Sequence, residues 1–260
     1  MKIAILYICT GRYNRFWNGF YKSCEEYFIP EAEKHYFVFT DDMKLSDRSN
    51  VHLQFKQCEG FPKDSLFRFE MFMRVEEDLK GYDYIYFLNS NAEFRQLVTA
   101  DEVLPDASGL VGADWPGKRK PLHKPMFFPY ERNKKSTAYI APFGKDYHYY
   151  MGGINGGTSD AFLAMIRTLA ANTRDDYNRG IIALVHDESH INRYFRDHRP
   201  RSLSAEYCWP EEWPAVFSPK MVFRDKVKLD LFFNKGRSRS MRAQFNKLFK
   251  AVTRAVKWYI

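Results

Sequence analysis

The residues best suited to chemistry in this 260-residue chain are Asp187 and Glu188, adjacent carboxylates inside His186-Asp187-Glu188-Ser189-His190. Upstream stand Tyr149-Tyr150-Met151-Gly152-Gly153 and Gly156-Gly157. Aromatic faces, bare backbone for close approach and paired carboxylates together suit a sugar pocket. Rings stack on the apolar faces of sugars, and carboxylates accept hydroxyl hydrogen bonds and stabilise developing positive charge. A plainer origin for the motif is a helix start, with Asp187 or Ser189 capping the turn that runs through Ile191-Asn192-Arg193-Tyr194-Phe195. His186 and His190 also lie four apart, as in a helical zinc pair, which would make a metallohydrolase. Against that, the glutamate is not in the HExxH position and the sequence offers no third ligand.

These residues need a scaffold, and the chain punctuates one clearly. Ile3 to Ile8 is a continuous apolar run that reads as a buried parallel strand, ended by Thr10-Gly11. Phe16, Phe20 and Tyr27 mark a helix after it. His35 to Thr40 reads as a second strand closed by Asp41-Asp42. Phe61-Pro62-Lys63-Asp64 leads into a helix with Leu66, Phe69, Met73 and Leu79 on one face. Tyr84 to Leu88 is a third buried strand, broken by Asn89-Ser90-Asn91. This β-α-β-α-β order predicts an α/β fold with an open, doubly wound sheet, in which ligands bind beyond the carboxyl ends of the strands. From Trp115 to Tyr149 the composition predicts loops and irregular strands. Ser159 to Asn172 and Leu184 to Phe195 read as helices, Trp209 to Pro219 as a loop, and Met221 to Phe223 as a last strand.

Composition narrows the classes. Hydrophobic residues make up 45%, charged residues 28% and aromatics 17%, which describes a globular chain with surplus rings. The net charge of +8 is unevenly spread. Lys235, Arg237, Arg239, Arg242, Lys247, Lys250, Arg254 and Lys257 carry all of it, with no acid between Asn234 and Ile260. The remaining body is neutral, so no nucleic-acid partner is expected. Cys9, Cys24, Cys58 and Cys208 lack CxxC spacing and read as reduced thiols of a cytoplasmic protein. The first apolar run is too short for a signal peptide or a membrane span, and no stalk or anchor is expected.

Several segments together resemble one family: the family-six retaining glycosyltransferases, which include the histo-blood-group A and B transferases and the α1,3-galactosyltransferases. The resemblance is carried by Tyr36-Phe37-Val38-Phe39-Thr40-Asp41, by Phe128 to Tyr139 with its Y-E-R…S-x-A-Y pattern, by His148 to Gly157, His186 to Tyr194 and Leu203 to Tyr207. They follow in the same order from about residue 2 to 230. The resemblance implies a single GT-A domain over 1–233 with a Rossmann-like, mainly parallel mixed sheet flanked by helices. It also implies transfer of N-acetylgalactosamine or galactose from UDP-GalNAc or UDP-Gal to the 3-hydroxyl of a galactose-containing acceptor, with retention.

The family's residue roles carry over one by one. Ile8, Cys9, Thr10 and Tyr13 fall where the first strand-loop holds the uridine. Arg68 matches an arginine near the donor sugar, and Asp187 accepts from donor hydroxyls. Glu188 faces the reacting carbon, as nucleophile or as stabiliser of an oxocarbenium-like state. Met151, Gly152 and Gly153 line the donor sugar. Glycine at 153 accompanies N-acetylgalactosamine, by leaving room for the acetamido group, whereas methionine at 151 accompanies galactose; sterics favour the glycine. Where most animal members have D-x-D, this chain has Asn89 and Asn91. Neutral amides are weak ligands for hard cations, so no divalent metal and no other cofactor is expected, as in a bacterial, metal-independent branch. Fixed cations must then meet the leaving diphosphate, Lys226 first and Arg224 second.

The acceptor side departs further. Trp115 replaces the histidine of an H-P-G turn, Val185 a tryptophan, and Pro210 an acceptor-binding aspartate. Acceptor contacts are expected from Trp115, Pro129, Val185, Glu188 and Trp209, and a fucosylated galactose is among the expected acceptors. The segment 234–260 lies outside the resemblance. Met241, Phe245, Leu248, Phe249, Val252, Val256 and Tyr259 recur at helical spacing, and a basic amphipathic helix ending in Trp258-Tyr259 suits an anionic membrane surface through 241–260. Such a protein would be peripheral on the inner face of the membrane. The alternative is a terminal helix docked on its own body.

Overall fold

The structure is a computed structural model; it describes residues 1–119, 124–229, 249–250, 252–256 and 258–259. The chain opens with β1 (Lys2–Ile8), whose side chains are buried on both faces, as its unbroken apolar run predicts. A 3-10 turn (Gly11–Phe16) leads into α1 (Trp17–Tyr27), which buries Trp17, Phe20 and Cys24 along one stripe. Next come β2 (Glu33–Thr40) and β3 (Val51–Phe55). The single helix expected after Pro62 is three short ones, α2 (Lys63–Leu66), α3 (Arg68–Met73) and α4 (Glu76–Leu79). Leu66, Phe69 and Leu79 still face inward, so the apolar periodicity survives the breaks.

β4 (Tyr84–Leu88) is followed by β5 (Ala92–Phe94), by α5 (Ala100–Val103) with its Thr99–Glu102 capping box, and by β6 (Leu110–Asp114). Among the described residues, the segment from Trp115 to Tyr149 holds short 3-10 turns and an isolated bridge, Glu131 to Tyr139. Then come β7 (Tyr150–Thr158), α6 (Ser159–Asn178), α7 (His186–His198), β8 (Arg201–Leu203), β9 (Trp209–Pro210), β10 (Met221–Phe223) and α8 (Lys226–Leu229).

The main sheet has the order β3-β2-β1-β4-β7-β6-β8. Strands β3, β2, β1 and β4 are mutually parallel, β7 is antiparallel to both β4 and β6, and β8 is parallel to β6. β5, β10 and β9 form a small second sheet. One face of the main sheet packs under α1 through residues such as Tyr7, Tyr36 and Tyr86. The other packs under α3, α6 and α7 through Phe72, Phe87, Phe162 and Ile166. This is the GT-A architecture. The chain order reverses between β1 and β4, which makes the crevice beyond their carboxyl ends the expected ligand site.

β7 is the main element that the sequence conceals. Four glycines give it poor strand propensity. Packing explains one of them directly: a Cβ on Gly156 would stand 2.3 Å from the Tyr86 ring. The glycine lets a tyrosine from β4 lie flat across the neighbouring strand, where its hydroxyl donates to Val103 O at 2.7 Å.

The boundary expected between 233 and 234 lies outside the described residues, as do Met241, Arg242, Phe245 and Leu248. The terminal residues 249–250, 252–256 and 258–259 are helical. Trp258, expected at a membrane interface, is instead buried on the body. It packs among Phe128, Tyr130, Ile140 and Tyr149, and its indole N–H donates to Ile140 O at 2.8 Å. Phe249, Val252, Val256 and Tyr259 remain exposed. The helix therefore docks through one face and leaves another bare.

Candidate active site

α7 begins one turn earlier than the capping reading predicts. Val185 is its N-cap, with no side-chain cap bond, and His186 enters at φ 49°. Asp187 and Glu188 thus lie in the first helical turn and aim at the sheet rather than closing the helix. Ser189 turns back to accept from Val185 N at 3.0 Å. Asn192 fixes the whole helix to β7: its Oδ1 accepts from Tyr150 N at 2.9 Å, and its Nδ2 donates to Tyr150 O at 2.9 Å. A buried amide that satisfies both backbone groups of one strand residue sets the register between helix and strand.

That clamp places the two carboxylates against the glycines. Glu188 Oε1 accepts from the Tyr149 hydroxyl at 2.6 Å, and Glu188 Oε2 accepts from Gly152 N at 2.7 Å. A Cβ on Gly152 would lie 3.0 Å from Glu188 Cβ, so bare backbone is what permits this approach. Burial raises the Glu188 pKa to about 7, against the pull of Tyr149 and Gly152, with Asp187 adding to the rise. Next to it, Asp187 Oδ2 pairs with Arg68 Nη1 at 3.0 Å, and the same nitrogen donates to Gly152 O at 2.9 Å. Burial raises the Asp187 pKa too, and Arg68 opposes the rise. Arg68 stacks over Phe87, with Cζ 4.3 Å from the ring centroid. Its Nε and Nη2 are buried without hydrogen-bond partners among the described residues, leaving two donors beside a carboxylate pair.

The expected donor-side residues converge. Asn89 N donates to Gly153 O at 2.9 Å, joining the end of β4 to the glycines. Asn89 Nδ2 donates to Asn91 Oδ1 at 2.9 Å, and Asn91 Nδ2 donates to Arg224 O at 2.9 Å. The Asn91 carbonyl oxygen is thus spent on Asn89, and the pair presents amide groups rather than two carboxylates. Two neutral amides are a weaker donor set for a hard divalent cation than two carboxylates. Tyr7 ties β1 to the same turn by donating to Ser90 O at 2.7 Å.

Around the end of β1, Ile8 is half-buried and Thr10 is buried, its hydroxyl 3.3 Å from Asp64 Oδ2. The Cys9 thiol is wholly buried, pushed up to about 12 chiefly by that burial, and its backbone N–H donates to Phe39 O. What position 9 can offer a ligand is its carbonyl. Lys226 Nζ stands 3.3 Å from the Tyr13 hydroxyl, so the first loop and α8 meet at a cation. Arg224 does not match its expected role equally well. Its guanidinium pairs with Glu93, and its Nε lies 3.4 Å from Glu211 Oε1. Two carboxylates already neutralise it, and its main contribution is backbone: Arg224 N donates to Asn91 O at 2.7 Å.

Gly153 also differs from expectation. A Cβ there would meet Phe223 Cζ at 2.8 Å, so the volume a methyl would take is filled by a ring of β10 rather than left open toward a sugar. Met151 packs on the same side of the sheet, under α1. Phe223 has no motif of its own, and only the pairing of β10 with β5 reveals it.

On the acceptor side, Trp115 stacks edge-on to Tyr149 at 5.4 Å and donates its backbone N–H to Tyr149 O at 3.1 Å. Pro129 is half-buried between Phe128 and Tyr130, and Val185 is half-buried where α7 begins. Trp209 is packed among neighbouring rings. It is only 7% exposed, its N–H donates to Trp213 O, and its ring meets those of Trp213 and Phe217. Sequence reasoning took Tyr149 for a sugar-facing ring and gave no role to Asn192; the structure makes the first a partner of Glu188 and the second its clamp.

The two histidines of the motif do not form a metal pair. His186 packs at a tilt against Phe61, ring centroids 4.8 Å apart, whereas His190 is buried beside Thr137 and Asp176 and is held neutral by burial, its pKa lowered to about 4. Among the described residues, no group of three or more histidines, cysteines or carboxylates is arranged to hold a metal ion.

Comparison with known proteins agrees with this geometry. The profile of glycosyltransferase family 6 matches residues 1–229. An O-antigen biosynthesis glycosyltransferase WbnI of Escherichia coli is 36% identical over 236 residues, covering 90% of this chain and 99% of that protein. Globoside alpha-1,3-N-acetylgalactosaminyltransferase 1 of Gallus gallus is 31% identical, covering 82% of this chain and 63% of that protein. Histo-blood group ABO system transferase 2 of Rattus norvegicus is 29% identical, covering 82% and 66%. With a family profile spanning residues 1–229 and its motifs meeting around Glu188, the chain belongs to glycosyltransferase family 6.

Proposed function

We propose that the protein transfers N-acetylgalactosamine from UDP-GalNAc, with retention, to the 3-hydroxyl of a galactose-containing glycan, without a divalent metal. The observation that carries this reading is the Glu188 carboxylate held between the Tyr149 hydroxyl and the Gly152 amide, with the Arg68–Asp187 pair beside it. Asp187 and the two unpartnered Arg68 nitrogens supply acceptors and donors for sugar hydroxyls. In the reaction the bond from the anomeric carbon to the diphosphate breaks, and the acceptor oxygen bonds that carbon on the same face. The acceptor proton leaves with the departing diphosphate. Both Glu188 oxygens already accept hydrogen bonds, which lowers their nucleophilicity. Glu188 is accordingly assigned the stabilisation of the oxocarbenium-like carbon.

Lys226 beside Tyr13 supports the diphosphate and takes the place that a metal holds elsewhere. The amide chemistry of Asn89 and Asn91 supports the metal-free reading. The donor reading leans on relatives named as N-acetylgalactosaminyltransferases. UDP-Gal is the second reading, favoured by Met151 and by the Phe223 ring that fills the space over Gly153. The test is UDP release from each donor, with lactose and with 2′-fucosyllactose, in excess EDTA and in Mn²⁺. EDTA-resistant turnover with UDP-GalNAc and the fucosylated acceptor is expected. Turnover only with Mn²⁺ would overturn the metal-free part, and preference for UDP-Gal would overturn the donor.

A further inference from the structure

We propose that the outward face of the terminal helix, together with Phe143, is a docking surface for an anionic phospholipid bilayer. Phe249, Val252, Val256 and Tyr259 follow at intervals of three, four and three residues, which places them on one helical stripe. With Phe143 they are between 41% and 77% exposed. Phe143 comes from the body of the protein and meets the Tyr259 ring at 5.0 Å. Its backbone is left-handed, at φ 65°, a conformation that costs a bulky residue and persists where the surroundings impose it. Helix and loop therefore build one apolar patch from two parts of the chain.

The patch is anchored from behind. Ala255 and Trp258 are buried on the adjacent face of the same helix, so the stripe is not simply the unsatisfied core side of a loose segment. Lys250 and Arg254 are exposed on the polar side of the helix, away from the stripe, and Lys145 is exposed next to Asp146 on the loop that carries Phe143. No acid occurs between Asn234 and Ile260. A helix with an apolar stripe on one side and basic, acid-free polar residues on the other complements a surface that is apolar just beneath a layer of negative charge, which is an anionic lipid headgroup region. The helix leans on the ring cluster behind Glu188, since Trp258 lies 5.9 Å from Tyr130, and Tyr130 lies 5.4 Å from Tyr149. Docking would bring that wall of the cleft toward the bilayer. The inference does not depend on the donor assignment.

The test is co-sedimentation of the full chain with phosphatidylcholine vesicles containing about one-third phosphatidylglycerol, and with pure phosphatidylcholine vesicles. Binding is expected to the first and not the second, and to weaken in high salt. Val252→Ser with Val256→Ser should weaken it about tenfold. Lys250→Gln with Arg254→Gln should weaken it by a similar factor of about ten to thirty. Hydrolysis of the donor in the absence of vesicles should be unchanged in both double variants, which shows that they fold. Absence of binding, equal binding to neutral vesicles, or undiminished binding by the serine variant would each overturn the proposal. So would a concentration-dependent dimer abolished by the serine pair, which would assign the stripe to a second copy.

Discussion

The two walls of the cleft are built by different means. The donor wall is polar and belongs to regular elements: Asn89 ends β4, Gly152 and Gly153 lie in β7, and Asp187 and Glu188 open α7, all joined by short hydrogen bonds. The wall proposed for the acceptor is backed by a buried cluster of rings, Trp115, Phe128, Tyr130, Tyr147 and Tyr149, carried largely by irregular chain and closed from behind by Trp258. Hydrogen-bonded strand and helix ends hold charge to within a fraction of an ångström, which bond making requires. Ring clusters on loops tolerate changes of shape, which suits recognition of varied glycans. Tyr149 belongs to both walls: its ring packs among the aromatics and its hydroxyl serves Glu188.

If this division holds, the walls separate when hydrolysis of the donor by water is measured alongside transfer to a glycan. Glu188→Gln should have the largest effect, lowering kcat for both reactions by about a thousandfold with donor binding nearly unchanged, because the charge matters only as the sugar becomes cationic. Near-normal turnover would remove Glu188 from the reaction. On the same wall, Lys226→Ala should lower both rates by about a hundredfold, the cost of losing one fixed donor to the leaving group. Arg224→Lys should cost far less in rate, since the Glu93 and Glu211 carboxylates already occupy its guanidinium. The reverse ranking would exchange their roles.

The same division decides what the sequence could reveal. β1, β2, β4, β10 and the stripe of α6 were legible because buried elements leave periodic apolar runs. The donor wall was legible because its carboxylates and glycines are contiguous in motifs. β7 was hidden as a strand: its glycines serve close approach, at Gly156 to Tyr86 and at Gly152 to Glu188, and close approach is invisible without the partner. The surroundings of Arg224 and Trp209 were hidden for a related reason. A charge or a ring in sequence shows capacity, whereas its role depends on whether Glu211 or Trp213 has already engaged it. Phe223 and Trp258 carry no motif, and their positions follow only from tertiary contacts.

Tyr149→Phe tests the residue that the walls share. Glu188 is raised to about 7 mainly by burial, and the Tyr149 hydroxyl opposes that rise by donating to the ionised form. Activity requires the ionised carboxylate, so kcat/KM of the wild type should climb with pH through about 7. In the phenylalanine variant the limb should move to higher pH, with activity at neutral pH down about tenfold and partly recovered in alkali. The stability sign runs the other way. Because the folded state holds this proton more tightly than the unfolded chain, the contribution of Glu188 to stability is present at low pH and lost as pH rises through about 7. An unchanged pH limb would mean that Tyr149 serves only the ring cluster.

Trp258→Ala should have the smallest effect on chemistry and the most selective one. The indole fills a site among Tyr130, Tyr147 and Ile140 and stacks against Arg132, with Cζ 5.2 Å from the ring. Its removal undocks a terminal helix without opening either face of the central sheet, so global unfolding should change little. The aromatic wall loses its backing, and the KM for the glycan should rise about fivefold, the scale of one lost positioning contact. Donor hydrolysis and its pH limb should stay put, because the hydrogen bonds to Glu188 come from β7 and from a tyrosine still held by Trp115 and Phe128. Equal losses in hydrolysis and transfer would show that the ring cluster is part of the catalytic wall, and that the two walls work as one.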